Sequence, residues 1–240
     1  MASVWQNNKM LRKWEEKNFK KIANGDFNYN LAYPLEDPLI KAISKYLNIK
    51  KEYIYVGAGS SQFISAVVGL KCWNKIFLSD IEFSLYKRSA TLNEKDVNYI
   101  SGITTKEFLL NLKKQKSSKN DLLCISSPRW FSGEMFSKKQ IQDILNIFKG
   151  TLIIDEAYVD YSDDEQGMLK LCLSNDRILL FRTFSKKFLA CKVFVANCRE
   201  RAMMESDQFR QRSYRHAERH HAGLPAPARP GDCRAVRAEL

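Results

Sequence analysis

Short apolar runs rich in β-branched residues recur along the chain, and between them apolar residues return at intervals of three and four. Residues 53–56, 75–78, 97–100, 122–126, 152–155 and 178–181 read as strands. Stretches 4–20, 37–47, 60–70, 104–115 and 137–148 read as amphipathic helices, the one at 60 opening after a glycine-rich turn. Strand and helix alternate, with no internal repeat. That order predicts an α/β fold: a mostly parallel sheet sandwiched by helices, with ligand groups at the carboxyl ends of strands and at helix N-termini.

Length and charge change this picture little. A chain of 240 residues accommodates one sizeable domain, with room for a small appendage. The net charge of +12 comes from lysines spread over helices and loops without a nucleic-acid-binding motif, so it reads as a solvated basic surface and nucleic acid is not expected as a partner. Six cysteines are scattered with no C-x-x-C pair, which points away from a zinc site or a disulfide framework and predicts buried thiols in a reducing compartment. The first residues carry Lys9, Arg12, Lys13, Glu15 and Glu16 where a secretion signal would need an apolar core, and no run is long enough to cross a membrane. A cytoplasmic protein is expected.

Composition does change abruptly near residue 199. All 25 lysines lie at or before Lys192, whereas nine of the 14 arginines and all three histidines lie from Arg199 onward. We read residues 1–30 as an N-terminal arm, 31–198 as the main domain and 199–240 as an Arg/Ala/Pro-rich tail without the periodicity of a core element. His216, His220 and His221 in that tail are given no metal-binding role, and none is expected elsewhere.

Three segments carry the candidate chemistry. In Leu152-Ile153-Ile154-Asp155-Glu156-Ala157-Tyr158 an apolar strand ends in a carboxylate with a phenol three positions on. Such an acid can pair with a protonated heterocycle nitrogen and such a phenol with a ring hydroxyl, although a strand followed by Asp-Glu is also a common structural ending. In Ile178-Leu179-Leu180-Phe181-Arg182-Thr183-Phe184-Ser185-Lys186 a second apolar strand runs into hydroxyls beside a lysine. A lysine desolvated at a strand end loses its proton more readily and becomes a nucleophile, while the bland reading is a solvated Lys186-Lys187 pair. In Gly57-Ala58-Gly59-Ser60-Ser61-Gln62, small residues before an apolar helix can admit a phosphate, or simply make an N-capped turn.

Together with Tyr33-Pro34, Phe83-Ser84-x-Tyr86 and Ser127-Pro128 to Gly133, these segments resemble, in order and spacing, the large domain of fold type I pyridoxal-phosphate enzymes. The likeness is to class I/II aminotransferases of the histidinol-phosphate aminotransferase type and covers residues 28–190. It implies pyridoxal 5′-phosphate as cofactor, Lys186 as the lysine that forms the Schiff base and shuttles the proton, and Asp155 as the carboxylate at the ring nitrogen. It further implies Tyr158 at the ring hydroxyl, Ser60, Ser61 and Ser185 at the phosphate, and Phe83 stacked on the ring, though core packing explains Phe83 and Tyr33 about as well. Tyr33 would reach the phosphate of a neighbouring subunit, which implies a homodimer. An amino donor and a 2-oxo acid acceptor would be the substrates.

The sequence departs from the family in three places. Trp130 stands where the family's P-N-N-P-T-G loop has the asparagine that meets the ring hydroxyl, so Tyr158 would carry that bond alone or the Trp130 indole would donate instead. No arginine follows Lys186 at the phosphate-binding position, where Lys192 is the available cation. Nothing from Arg199 onward resembles the family's small C-terminal domain, which is therefore expected to be missing. Two other readings remain open at this point: a decarboxylase of the threonine-phosphate type, and a non-catalytic remnant of an aminotransferase.

Overall fold

The computed structural model describes residues 36–57, 60–162, 167–183 and 192–196. The chain divides into two units, Met1–Ala42 and Ile43–Leu240, and the sheet lies in the second. Helix α1 (Glu36–Leu47) places Ile43 and Leu47 in the core. Strand β1 (Ile54–Gly57) leads to α2 (Ser60–Val68), β2 (Lys75–Ser79) to α3 (Ser84–Leu92), and β3 (Asp96–Ile100) to α4 (Thr105–Leu112). Strand β4 (Leu122–Ser126) leads to α5 (Lys138–Ile147), and β5 (Thr151–Asp155) to the short α6 (Leu169–Ser174). Strands β6 (Ile178–Thr183) and β7 (Lys192–Ala196) complete the sheet.

Seven strands hydrogen-bond in the order β1-β7-β6-β5-β4-β2-β3. The pairs β6/β5, β5/β4, β4/β2 and β2/β3 are parallel, as the alternation of strand and helix predicts, and β7 runs antiparallel to both β1 and β6. The apolar pattern of the sequence predicts neither β7 nor α3 nor α6. Every residue of β4 and β5 is buried, because helices cover both faces, and this is why these strands read as continuous apolar runs. Ile76, Leu78, Leu122, Cys124, Ile153, Leu179 and Phe181 meet Phe63, Val67, Tyr86 and Ala90 of α2 and α3 in one cluster. The alternate residues point to the other face, where the rings of Phe77 and Phe148 meet edge to face at 5.2 Å.

Helices α4 and α5 begin as the sequence anticipates. The Thr104 hydroxyl accepts from the Glu107 amide while the Glu107 carboxylate accepts from the Thr104 amide, and Ser137 with Gln140 repeats the arrangement. Thr104→Ala is expected to cost about 1 kcal/mol of stability, read as a lower denaturant midpoint at unchanged slope; an unchanged midpoint would show that the cap is redundant.

Two of the three described cysteines, Cys124 and Cys172, are buried thiols, but Cys72 is exposed in the turn after α2, contrary to the expectation of burial. Among the described residues no helix is long and apolar enough to cross a membrane. The candidate helix at 4–20 and the tail from 199 lie outside the described residues, as do Tyr33, Ser185 and Lys186.

Candidate active site

The parallel strands end level with one another along one edge of the sheet. Ser126 closes β4 opposite Asp155, which closes β5 opposite Phe181. The buried strand thus delivers Asp155 to the edge with 6 % of its surface exposed. Its Oδ2 accepts a hydrogen bond from the Tyr86 hydroxyl at 3.0 Å and its Oδ1 accepts from the Ala157 amide at 3.1 Å. Burial lifts the Tyr86 phenol well above its ordinary pKa and the Asp155 charge adds to this, so Tyr86 stays protonated and donates. Tyr158, three residues beyond Asp155, is partly exposed, with its ring centroid 6.5 Å from that of Tyr161.

At the other side of the same edge β1 ends at Gly57 and α2 starts at Ser60, which is buried, with Ser61 partly so. A Cβ on Gly57 would lie 2.7 Å from Gln62 Oε1 and 2.8 Å from the Phe63 ring, so only glycine lets the strand end come this close to the first turn of α2. Strand β6 ends at Thr183, three residues before Lys186. The chain re-enters the sheet at Lys192, which pairs in register with Thr183 on one side and Gly57 on the other. The backbone of Lys192 therefore begins β7 between the last residue of β1 and the last residue of β6.

Between β2 and β4 the strand order reverses, the position at which open α/β sheets form a ligand crevice. Pairing of β2 with β4 stops at Leu78 opposite Cys124, while β4 and β5 stay paired as far as Ser126. Side chains bridge the opened gap. Glu82 accepts from the Ser126 amide at 3.0 Å and from the Ser126 hydroxyl at 2.9 Å. Buried Arg129 donates to Ser79 Oγ at 3.0 Å and to the carbonyls of Gly102 and Ile103, and its guanidinium lies 4.7 Å from the Phe131 ring centre. The Trp130 indole donates to the Ile81 carbonyl at 3.0 Å. That bond occupies the indole N–H, so Trp130 does not supply the donor that the family's asparagine provides.

Phe83 stands at the N-terminus of α3 with 42 % of its surface exposed. Tyr86 lies one turn along the same helix, which places Phe83 and the Asp155 contact on neighbouring positions of one face. The sequence motif contains Tyr86, and its spacing of three from Phe83 was the available sign of a shared role. Glu82 had no such sign, since its partner Ser126 is 44 residues away. Withdrawal from water raises the Glu82 carboxyl to about 7; bonds from Phe83 and Ser126 pull it down, and the Asp155 charge pushes it up.

The family model for aminotransferase class I and II matches residues 4–202. The chain belongs to that family. The histidinol-phosphate aminotransferase of Methanococcus aeolicus is 28 % identical over 161 residues, which is 65 % of this chain and 43 % of that protein. The chain spans under half the length of the curated relatives it matches first. Among solved structures, the L-threonine-O-3-phosphate decarboxylase of Porphyromonas gingivalis superposes with a TM-score of 0.66 at 15 % identity, covering 92 % of this chain and 68 % of that one. The histidinol-phosphate aminotransferase of Sinorhizobium meliloti, solved with pyridoxal-5′-phosphate, gives 0.65 at 13 % identity, covering 85 % and 60 %. These likenesses establish the large-domain fold expected from the sequence.

Pyridoxal 5′-phosphate is the cofactor that accompanies this family and fold. The residues at the edge fit it. Among the described residues a carboxylate is held by Tyr86 and the Ala157 amide; an exposed aromatic ring stands one helical turn from Tyr86; and two hydroxyls open α2 where Gly57 permits close backbone approach.

Proposed function

We propose that this chain contains the cofactor domain, residues 31–198, of a pyridoxal-phosphate-dependent aminotransferase of the histidinol-phosphate type. Its amino donor is an amino acid or amino-alcohol phosphate and its acceptor a 2-oxo acid. The observation that carries the reading is the Asp155 carboxylate, fixed through both oxygens at the strand edge, beside the crevice where the strand order reverses.

The cofactor, when bound, supplies an electron sink for the substrate's α-carbon. Lys186 tethers it and carries a proton to and from that carbon. Asp155 provides the negative charge that keeps the ring nitrogen protonated, and Tyr158 meets the ring hydroxyl. Ser60, Ser61 and Ser185 hold the phosphate, with Lys192 as the cation in place of the family's arginine. Phe83 packs on the ring face. Tyr33 reaches the second subunit of a cytoplasmic homodimer, and residues 1–30 form an arm ahead of the domain.

Added pyridoxal phosphate is expected to give the full chain a visible absorption band through covalent linkage at Lys186. Lys186→Ala should abolish the band while leaving the circular dichroism spectrum intact. A wild-type protein with no band would refute the assignment. Amino donors with and without a phosphate group then sort the substrates, and gel filtration tests the dimer. The fold shared with the threonine-phosphate decarboxylase supports a second reading, decarboxylation, which carbon dioxide release would reveal.

A further inference from the structure

Glu82 lies at the opened end of the β2/β4 pair, and none of the roles assigned above uses it. Helix α3 lacks an ordinary start: its N-cap residue is Phe83, which has no capping side chain, and its first turn holds no acid. The substitute is the preceding residue. Glu82 Oε1 accepts from the Phe83 amide at 2.9 Å, and the same carboxyl group accepts from both the amide and the hydroxyl of Ser126. Four residues later the Tyr86 hydroxyl binds Asp155. The beginning of α3 is thus pinned at two points, by Glu82 to the end of β4 and by Tyr86 to the end of β5, and exposed Phe83 is held between them.

We propose that Glu82 is a positioning residue for the cofactor ring: its carboxyl group latches the start of α3 to Ser126 and so fixes Phe83 at the crevice. This rests on the aminotransferase reading for the identity of the ring, but the latch itself does not. The latch is also sensitive to pH. Among the described residues the ionisable groups that act on Glu82 or are acted on by it are Asp155 on β5, Cys124 on β4, Tyr86 on α3 and Arg129 beyond β4. Burial raises the Glu82 carboxyl to about 7 in the folded chain, so between its ordinary value of 4.5 and about 7 the folded state holds a proton that the unfolded state has released. Its contribution to stability is therefore full below 4.5, declines as pH rises to about 7, and is lost above that.

The test uses the full-length chain and pyridoxine 5′-phosphate, which lacks the aldehyde and therefore reports non-covalent binding independently of Lys186 and of turnover. Glu82→Ala is expected to bind it about tenfold more weakly, the scale of losing one hydrogen bond to a charged group. Phe83→Ala should show a similar loss. Because Glu82 acts through Phe83, the double variant should lose little more than either single one; losses that multiply would overturn the proposal, as would unchanged binding by Glu82→Ala. Glu82→Gln keeps an acceptor and cannot ionise. It should bind the phosphate more tightly than Glu82→Ala but more weakly than wild type, because its carbonyl oxygen still accepts while its amide nitrogen must face one of the backbone N–H groups of Phe83 and Ser126. Its thermal midpoint should match wild type near pH 5 and exceed it by several degrees at pH 8. A midpoint difference that stays flat over this range would refute the titrating latch. If Glu82→Ala does not fold, Ser126→Ala removes one donor and should show a smaller loss of the same sign. Failure of wild type to bind either phosphate would overturn the cofactor reading and the ring-positioning role together, whereas the thermal series tests the latch without any ligand.

Discussion

Under the aminotransferase role proposed above, Asp155→Asn is expected to slow consumption of an amino donor about a thousandfold, the scale observed when a preorganised electrostatic partner of the reacting centre is removed. Binding of pyridoxine 5′-phosphate should weaken far less. The two effects separate because asparagine has nearly the same shape and keeps a carbonyl oxygen that can accept from Tyr86 or the Ala157 amide. What it lacks is the charge, and the proposed role of Asp155 depends on that charge. Steady-state kinetics beside a binding isotherm decides the matter. Equal losses in both would make Asp155 a general binding residue, and an unaltered rate would remove it from the chemistry.

Asp155 was legible in the sequence because its strand is apolar throughout and stops at the acid, a pattern that reports burial followed by emergence at an edge. Its setting was not. Among the described residues the groups that orient it include Tyr86, 69 residues away on a helix that the apolar pattern does not reveal. Helix α3 buries only Tyr86, Ser89 and Ala90, so its inner face is made of a phenol, a hydroxyl and a methyl and shows no apolar stripe. Strand β7 escaped for another reason. Lys192–Ala196 is five residues long, and its place between β1 and β6 depends on pairing with segments more than a hundred and about ten residues away, which no local pattern encodes. Helix α6 has six residues, too few for a period to show. The parallel centre of the sheet, by contrast, followed from continuous apolar runs separated by helical spacing. The raised Glu82 carboxyl arises only when β2 and β4 are brought together, which also explains why the chemistry of the crevice was less readable than its location.

Glu156→Ala should cost about 3–5 kcal/mol of folding stability, the penalty for removing one partner of a buried ion pair. In the sequence this residue is indistinguishable in kind from its neighbour Asp155, yet the pleat sends the two acids to different places. Glu156 is 1 % exposed, and its Oε2 receives Arg182 Nε at 2.8 Å and Nη2 at 2.7 Å. Its Oε1 accepts from the Met168 amide at 2.6 Å. Gly167, in the left-handed region at φ +48°, passes so close that a Cβ there would strike the Glu156 carboxylate. One acid thus ties the end of β6 to the segment that leads into α6. The alanine variant leaves Arg182 without its carboxylate, so Arg182→Ala added to it should recover part of the loss. Urea denaturation measures both variants. At temperatures where Glu156→Ala remains folded, its affinity for pyridoxine 5′-phosphate should stay close to that of wild type, because the Glu156 carboxylate is engaged by Arg182 and the Met168 amide and neither Glu156 nor Arg182 is assigned a contact with the ring or the phosphate. A large affinity loss with little loss of stability would reverse the division of labour between the adjacent acids and place Glu156 in the site.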